Sequence, residues 1–120
     1  MANILIVDDE PAMRRLLNQW LTLAGHQVVE AALGAQAIDM TQLLLPDLII
    51  MDVKLPDISG LAAAQEIRAL PGLRATPVIC LTGLDMRVDV AQEGGCTDLL
   101  LKPVTREALI DAVQRHLKFK

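Results

Sequence analysis

Short apolar runs that stop abruptly at a charged residue constrain this chain more than anything else in it. Asn3-Ile4-Leu5-Ile6-Val7 runs straight into Asp8-Asp9-Glu10, and Leu48-Ile49-Ile50-Met51 ends at Asp52. Such runs are apolar at every position rather than at every second one. A strand of that kind must be buried on both faces, which points to a parallel sheet covered by helices above and below. Helical patterns fill the gaps between the runs, and that alternation argues for an α/β fold.

Taken in order, the strand expected over 3–7 is followed by a helix that opens at Pro11, with acids just ahead of it. Its apolar stripe is Met13, Leu16, Leu17, Trp20, Leu21 and Ala24, and Gly25 suits its C-terminal cap. A second strand is expected over 27–31, a second helix over 34–45 stopped by Pro46, and a third strand over 47–52. A third helix over 60–70 ends at Pro71-Gly72. Then come a strand over 77–81 closing at Thr82-Gly83, a short fourth helix over 85–93, and a strand over 98–101 closing at Lys102-Pro103. Thr105 suits the N-cap of a fifth helix with Leu109, Ile110, Val113 and Leu117 on its apolar face. The expected product is five βα units in a single domain over 1–120.

Size and charge narrow the function classes. At 120 residues and 52% hydrophobic, the chain can bury a core without staples and is not a disordered segment. No apolar run is long enough to span a bilayer, and Asp8, Asp9 and Glu10 interrupt the first run too early for a secretory leader. A cytoplasmic location is the expectation. The net charge of -4 and the lack of a basic stripe argue against direct nucleic-acid binding. Cys80 and Cys96 have neither CxxC nor metal-ligand spacing, Cys80 reads as a small core residue, and no disulfide is expected.

Ligands of open α/β sheets bind outside the carboxyl ends of the strands. Here those ends carry Asp8-Asp9, Asp52, Thr82 and Lys102. Three close carboxylates repel one another unless a cation joins them. An all-oxygen set favours Mg2+. A carboxylate can also attack phosphorus to form an aspartyl phosphate, and such transfers need chiefly positioning and charge neutralisation. The other polar groups read as structural. Asp57 suits a turn and Glu10 a helix dipole; His26 and His116 suit solvated or capping positions.

Ile6-Val7-Asp8-Asp9-Glu10, Met51-Asp52-Val53-Lys54-Leu55-Pro56-Asp57 through Gly60, Leu81-Thr82-Gly83 and Leu101-Lys102-Pro103 together resemble the receiver domain of two-component response regulators. The likeness runs over essentially the whole chain. It implies a flavodoxin-like, doubly wound (βα)5 parallel sheet in the order 2-1-3-4-5. It also implies a phosphorylation switch rather than a turnover enzyme. Asp52 would be the phosphoacceptor, and the donor a sensor histidine kinase or phosphotransfer protein. Asp8, Asp9, Asp52 and the Lys54 backbone carbonyl would serve Mg2+. Thr82 and Lys102 would contact the phosphoryl group, and the Lys102-Pro103 bond would be cis. Homodimers through the fourth helix, fifth strand and fifth helix occur in the family.

One position departs from the pattern. Leu99 stands where receivers usually carry Tyr or Phe, and the chain has no Tyr at all. The expected consequence is phosphorylation without the aromatic switch. The alternative function is a degenerate receiver acting as a constitutive interaction module. A haloacid dehalogenase-type phosphatase would need a second Asp where Lys54 stands. A flavin site would need a Ser-, Thr- or Gly-rich loop in place of Asp8-Asp9-Glu10.

Overall fold

The computed structural model describes residues 2–83 and 94–117. Five strands, β1 (Asn3–Val7), β2 (Gln27–Ala31), β3 (Leu48–Asp52), β4 (Val78–Thr82) and β5 (Asp98–Leu101), form one sheet in the order β2-β1-β3-β4-β5. Every pairing is parallel. Among the described residues the helices are α1 (Pro11–Leu23), α2 (Gly34–Leu44), α3 (Gly60–Arg68) and α4 (Arg106–His116). The helix expected over 85–93 lies outside the described residues, so α4 is the fifth helix of the sequence reading.

The continuous apolar runs serve two cores. Leu5, Val7, Ile49, Met51, Val78 and Cys80 face one side, where Ala37 of α2 and Ala63, Ala64 and Ile67 of α3 cover them. Ile4, Ile6, Leu48, Ile50, Ile79 and Leu81 face the other, under Leu17 and Leu21 of α1 and Leu109, Ala112 and Val113 of α4. Neighbouring residues on a strand point to opposite faces, so burial on both sides leaves no polar position within β3 before Asp52.

The local signals act where expected. Pro11 stands in the first turn of α1, and Gly25 follows it at φ +96, a conformation that costs glycine little. Ser59 Oγ accepts from Leu61 N to cap α3, and Thr105 Oγ1 accepts from Ala108 N to cap α4. α2 ends as Leu45 turns left-handed just ahead of Pro46.

One reading is overturned. Cys80 and Cys96 form a disulfide with Cα atoms 6.0 Å apart. Neither the spacing rules nor the compartment argument foresaw it. The pairing comes from the parallel β4–β5 register, which sets Cys80 against Leu99 and so brings the chain just before β5 beside β4.

Candidate functional site at the carboxyl edge of the sheet

The strand order reverses between β1 and β3, and both strands end at that crevice. Asp8 directly follows β1; Asp52 is the last residue of β3 and Thr82 of β4; Lys102 directly follows β5. Backbone bonds hold these ends level. Asp8 N donates to Ala31 O at 3.1 Å, Val53 N to Leu81 O at 2.9 Å and Lys102 N to Thr82 O at 2.8 Å. The four residues therefore share one rim despite a sequence span of nearly the whole chain. A cleft of about 600 Å³ lies there, lined by Asp9, Glu10, Asp52, Lys54, Thr82 and Lys102 among others.

The rim is buried and charged. Asp8 is 0%, Asp52 4% and Thr82 2% exposed, so these groups have given up most of their water. Each of Asp8, Asp9 and Asp52 offers a carboxylate oxygen within 4.8 Å of the others. Lys102 Nζ lies 3.0 Å from Asp52 Oδ2 and 3.9 Å from Asp8 Oδ2. The other Asp52 oxygen accepts from Lys54 N at 3.2 Å. Asp8 Oδ1 accepts from Glu10 N at 2.9 Å, but its buried Oδ2 accepts no hydrogen bond from the described residues.

That orphaned oxygen sets the electrostatics. Burial is the main cause that pushes the Asp8 carboxyl above its ordinary range; the Glu10 N–H opposes it, Asp52 adds to it, and Lys102 opposes it. For Lys102, burial acts downward, yet the bond to Asp52 and the nearby carboxylates outweigh it and raise the ammonium's pKa. The lysine stays charged at any physiological pH. A buried carboxylate oxygen without a partner, aimed into a group of three acids, is the arrangement a hard divalent cation satisfies. The donor set is all oxygen and so fits Mg2+ better than zinc.

Supporting contacts escaped the sequence reading. Arg14 Nη1 donates to the Asp8 carbonyl at 2.7 Å while its Nε bonds Glu30 Oε1 at 3.1 Å, fixing the turn after β1. Asp57 is more than a turn residue. Its two oxygens accept from Gly34 N and Ala35 N, each at 2.9 Å, so it caps α2 from the loop after β3. Those bonds hold its carboxyl below the usual range. His116 Nε2 meets Asp98 Oδ2 at 2.9 Å, and Ala2 N donates to His26 Nδ1 at 3.3 Å; neither histidine approaches the rim. Leu99 is half-buried, paired with Cys80 and packed against the α2–α3 core. The Lys102–Pro103 peptide is cis.

The model of the response regulator receiver domain matches residues 4–114. The chain belongs to that family. It is a signalling module rather than a classical enzyme, and its acidic pocket is consistent with aspartate phosphorylation by a histidine kinase. Over 121 residues it is 37% identical to the response regulator PleD of Caulobacter vibrioides, which covers 99% of this chain but 27% of PleD. It superposes with a TM-score of 0.92 on chemotaxis protein CheY4 of Vibrio cholerae, at 32% identity and over 98% of this chain and 99% of that one. The receiver domain of sensor histidine kinase PA1611 from Pseudomonas aeruginosa, whose structure has a magnesium ion coordinated in its active-site cleft, gives 0.89 at 33% identity over 97% of each chain. No described helix of this receiver is long and apolar enough to cross a membrane.

Proposed function

We propose that this receiver takes a phosphoryl group onto Asp52 from a phosphohistidine on a sensor kinase or phosphotransfer protein in the cytoplasm. The observation that carries the reading is the placement of Asp52. Its buried carboxylate opens onto the cleft, with Lys102 Nζ at 3.0 Å from one oxygen. A carboxylate oxygen of Asp52 forms the new O–P bond as the P–N bond to the donor imidazole breaks, and the electron pair returns to the ring nitrogen. Lys102 follows the charge onto the phosphoryl oxygens and Thr82 supplies a hydrogen bond to one of them.

Asp8, Asp9, Asp52 and the backbone carbonyl of Lys54 would hold Mg2+. When bound, the ion supplies charge neutralisation at the phosphoryl oxygens. The orphaned Asp8 oxygen supports that assignment. The chain's own residues do the rest. Buried strand ends fix Asp52 and Thr82, and the Lys54 N–H orients the acceptor carboxylate. Leu99 offers no hydroxyl, so the aromatic relay of the family is replaced by apolar contact. A homodimer through β5, α4 and the helix expected over 85–93, which lies outside the described residues, is the assembly the family suggests.

Incubation with Mg2+ and acetyl phosphate, followed by intact-mass measurement, tests the reading. One phosphoryl adduct is expected, absent from Asp52→Asn and after chelation of the metal. An unmodified mass with every donor, histidine kinase included, overturns it in favour of a constitutive interaction module.

A further inference from the structure

The Cys80–Cys96 bond joins β4 to the turn that leads into β5. Cys80 sits two residues before Thr82 on β4, and Cys96 two residues before β5. Both are buried, at 0% and 3% exposure, in the core that α2 and α3 cover. The bond closes a loop with a sequence separation of 16, and Thr82 and Gly83 lie within it.

Two features argue that the bond can be broken without loss of the fold. First, other contacts already hold the Cys96 side. Thr97 N donates to Val78 O at 2.7 Å, and Thr97 Oγ1 accepts from Val78 N at 3.0 Å. Arg68 of α3 donates to Gly95 O at 3.0 Å and to Thr97 Oγ1 at 2.7 Å. Gly95, at φ +94, packs its backbone against α3. Second, reduction would leave two thiols in an apolar cluster, where cysteine serves as a small hydrophobe. Disulfides of reducing compartments are usually transient or redox-sensing rather than structural.

We propose that Cys80 and Cys96 form a reversible redox site that tunes the phosphoryl response at Thr82; this rests on the phosphorylation reading above. A dithiol of the thioredoxin class attacks one sulfur to give a mixed disulfide. Its second thiol then closes onto the first, releasing both chain cysteines as thiols and leaving the reductant as a disulfide. Two electrons and two protons pass to the chain. Reoxidation by glutathione disulfide runs the same exchange backwards and yields two glutathione thiols. Because the cysteines are buried, exchange proceeds through local opening around residues 94–97. In the oxidised chain the cross-link ties Cys80, in the middle of β4, to the turn that leads into β5, and so restrains Thr82 two residues further along β4. Reduction frees it to meet the phosphoryl group.

The test is the affinity for beryllofluoride, a phosphoryl mimic, in Mg2+, measured by calorimetry on oxidised and dithiothreitol-reduced protein. Reduction should tighten binding by about fivefold, the low end of ordinary coupling between two sites. Iodoacetamide should then label two cysteines in the reduced native chain and none in the oxidised one. The Cys80→Ala/Cys96→Ala double variant should bind like the reduced chain and ignore dithiothreitol. Equal affinities in the two redox states overturn the proposal while leaving phosphorylation intact. So does a native chain that dithiothreitol cannot reduce although the denatured chain is reduced. Failure of both redox forms to bind the mimic, with no acetyl-phosphate adduct on Asp52, overturns the phosphorylation reading and this proposal with it.

Discussion

Gly60→Ala is the substitution whose consequence can be worked most directly. A Cβ on Gly60 would stand 2.1 Å from the Asp52 carbonyl oxygen and 2.9 Å from both Asp52 C and Val53 Cα. All three are backbone atoms, so no rotamer relieves the clash. Restoring ordinary contact requires the start of α3 to retreat by roughly 1.3 Å, which overpacking studies price at about 1–3 kcal/mol. The retreat also weakens the 2.8 Å bond from Gly60 N to Val53 O, for about 1 kcal/mol more, offset in part by alanine's better helix propensity. The net loss is about 3 kcal/mol. With an unfolding entropy of roughly 2.1 cal/mol/K per residue, that lowers Tm by about 12 °C. The control is Gly72→Ala, at φ +81 with open space around it, where backbone strain alone costs about 1 kcal/mol or roughly 4 °C. Thermal melts followed by circular dichroism compare the two. Because the clash presses on the Asp52 carbonyl as well as on α3, acetyl-phosphate labelling should slow by about tenfold in Gly60→Ala alone. A Gly60→Ala protein that melts no lower than Gly72→Ala would refute the close-approach argument.

Three further outcomes follow from the same geometry. Reduction of the disulfide removes a cross-link over a separation of 16 residues; by loop entropy this should cost about 3 kcal/mol, or roughly 12 °C in Tm, measured with and without a phosphine reductant. Asp8, with its native pKa raised, binds its proton more tightly folded than unfolded, so without metal its contribution is fully present below pH 3.8 and is lost as pH rises through the raised value. Asp8→Asn should therefore raise the metal-free Tm at neutral pH, and Mg2+ at 100 times its Kd should add about 2.7 kcal/mol to the wild type but far less to this variant. Asp57, with its native pKa lowered, has the opposite sign: its stabilisation is present above pH 3.8 and fades as pH falls through the depressed value. Asp57→Ala should lower Tm at neutral pH and narrow its gap to the wild type in acid, checked by melts across that range.

What the sequence revealed and what it hid divide along physical lines. The runs at 3–7 and 48–52 announce themselves because burial on both faces demands unbroken apolar residues. Asp8, Asp52, Thr82 and Lys102 are legible because strand ends in this architecture share an edge, so location along the chain implies location in space. The Cys80–Cys96 pair was not legible, because it depends on how far β5 slides along β4, and cysteine spacing carries no record of that register. The Arg14–Glu30 contact and the Asp57 cap on α2 were hidden for the same reason. Each joins segments whose approach is set by helix packing rather than by a local pattern.

The charge balance at the rim explains why these residues are tolerated in a fold that gains nothing from burying them unpaired. Among the described residues, Asp8, Asp9 and Asp52 set three carboxylates around the ammonium of Lys102. The lysine sits 3.0 Å from Asp52 but 3.9 Å from Asp8, so it satisfies Asp52 first and leaves the deeper acid short. Hydrophobic replacements of similar volume would stabilise such a cluster. A sheet edge that keeps the acids instead carries a negative field that favours cations. On the proposed reading, a dication there would cancel the excess charge, and a phosphoryl group on Asp52 would then draw on the lysine that Asp52 had neutralised. Three acids around one ammonium thus favour the entry of charged ligands, which on the proposed reading is the energetic requirement of a switch.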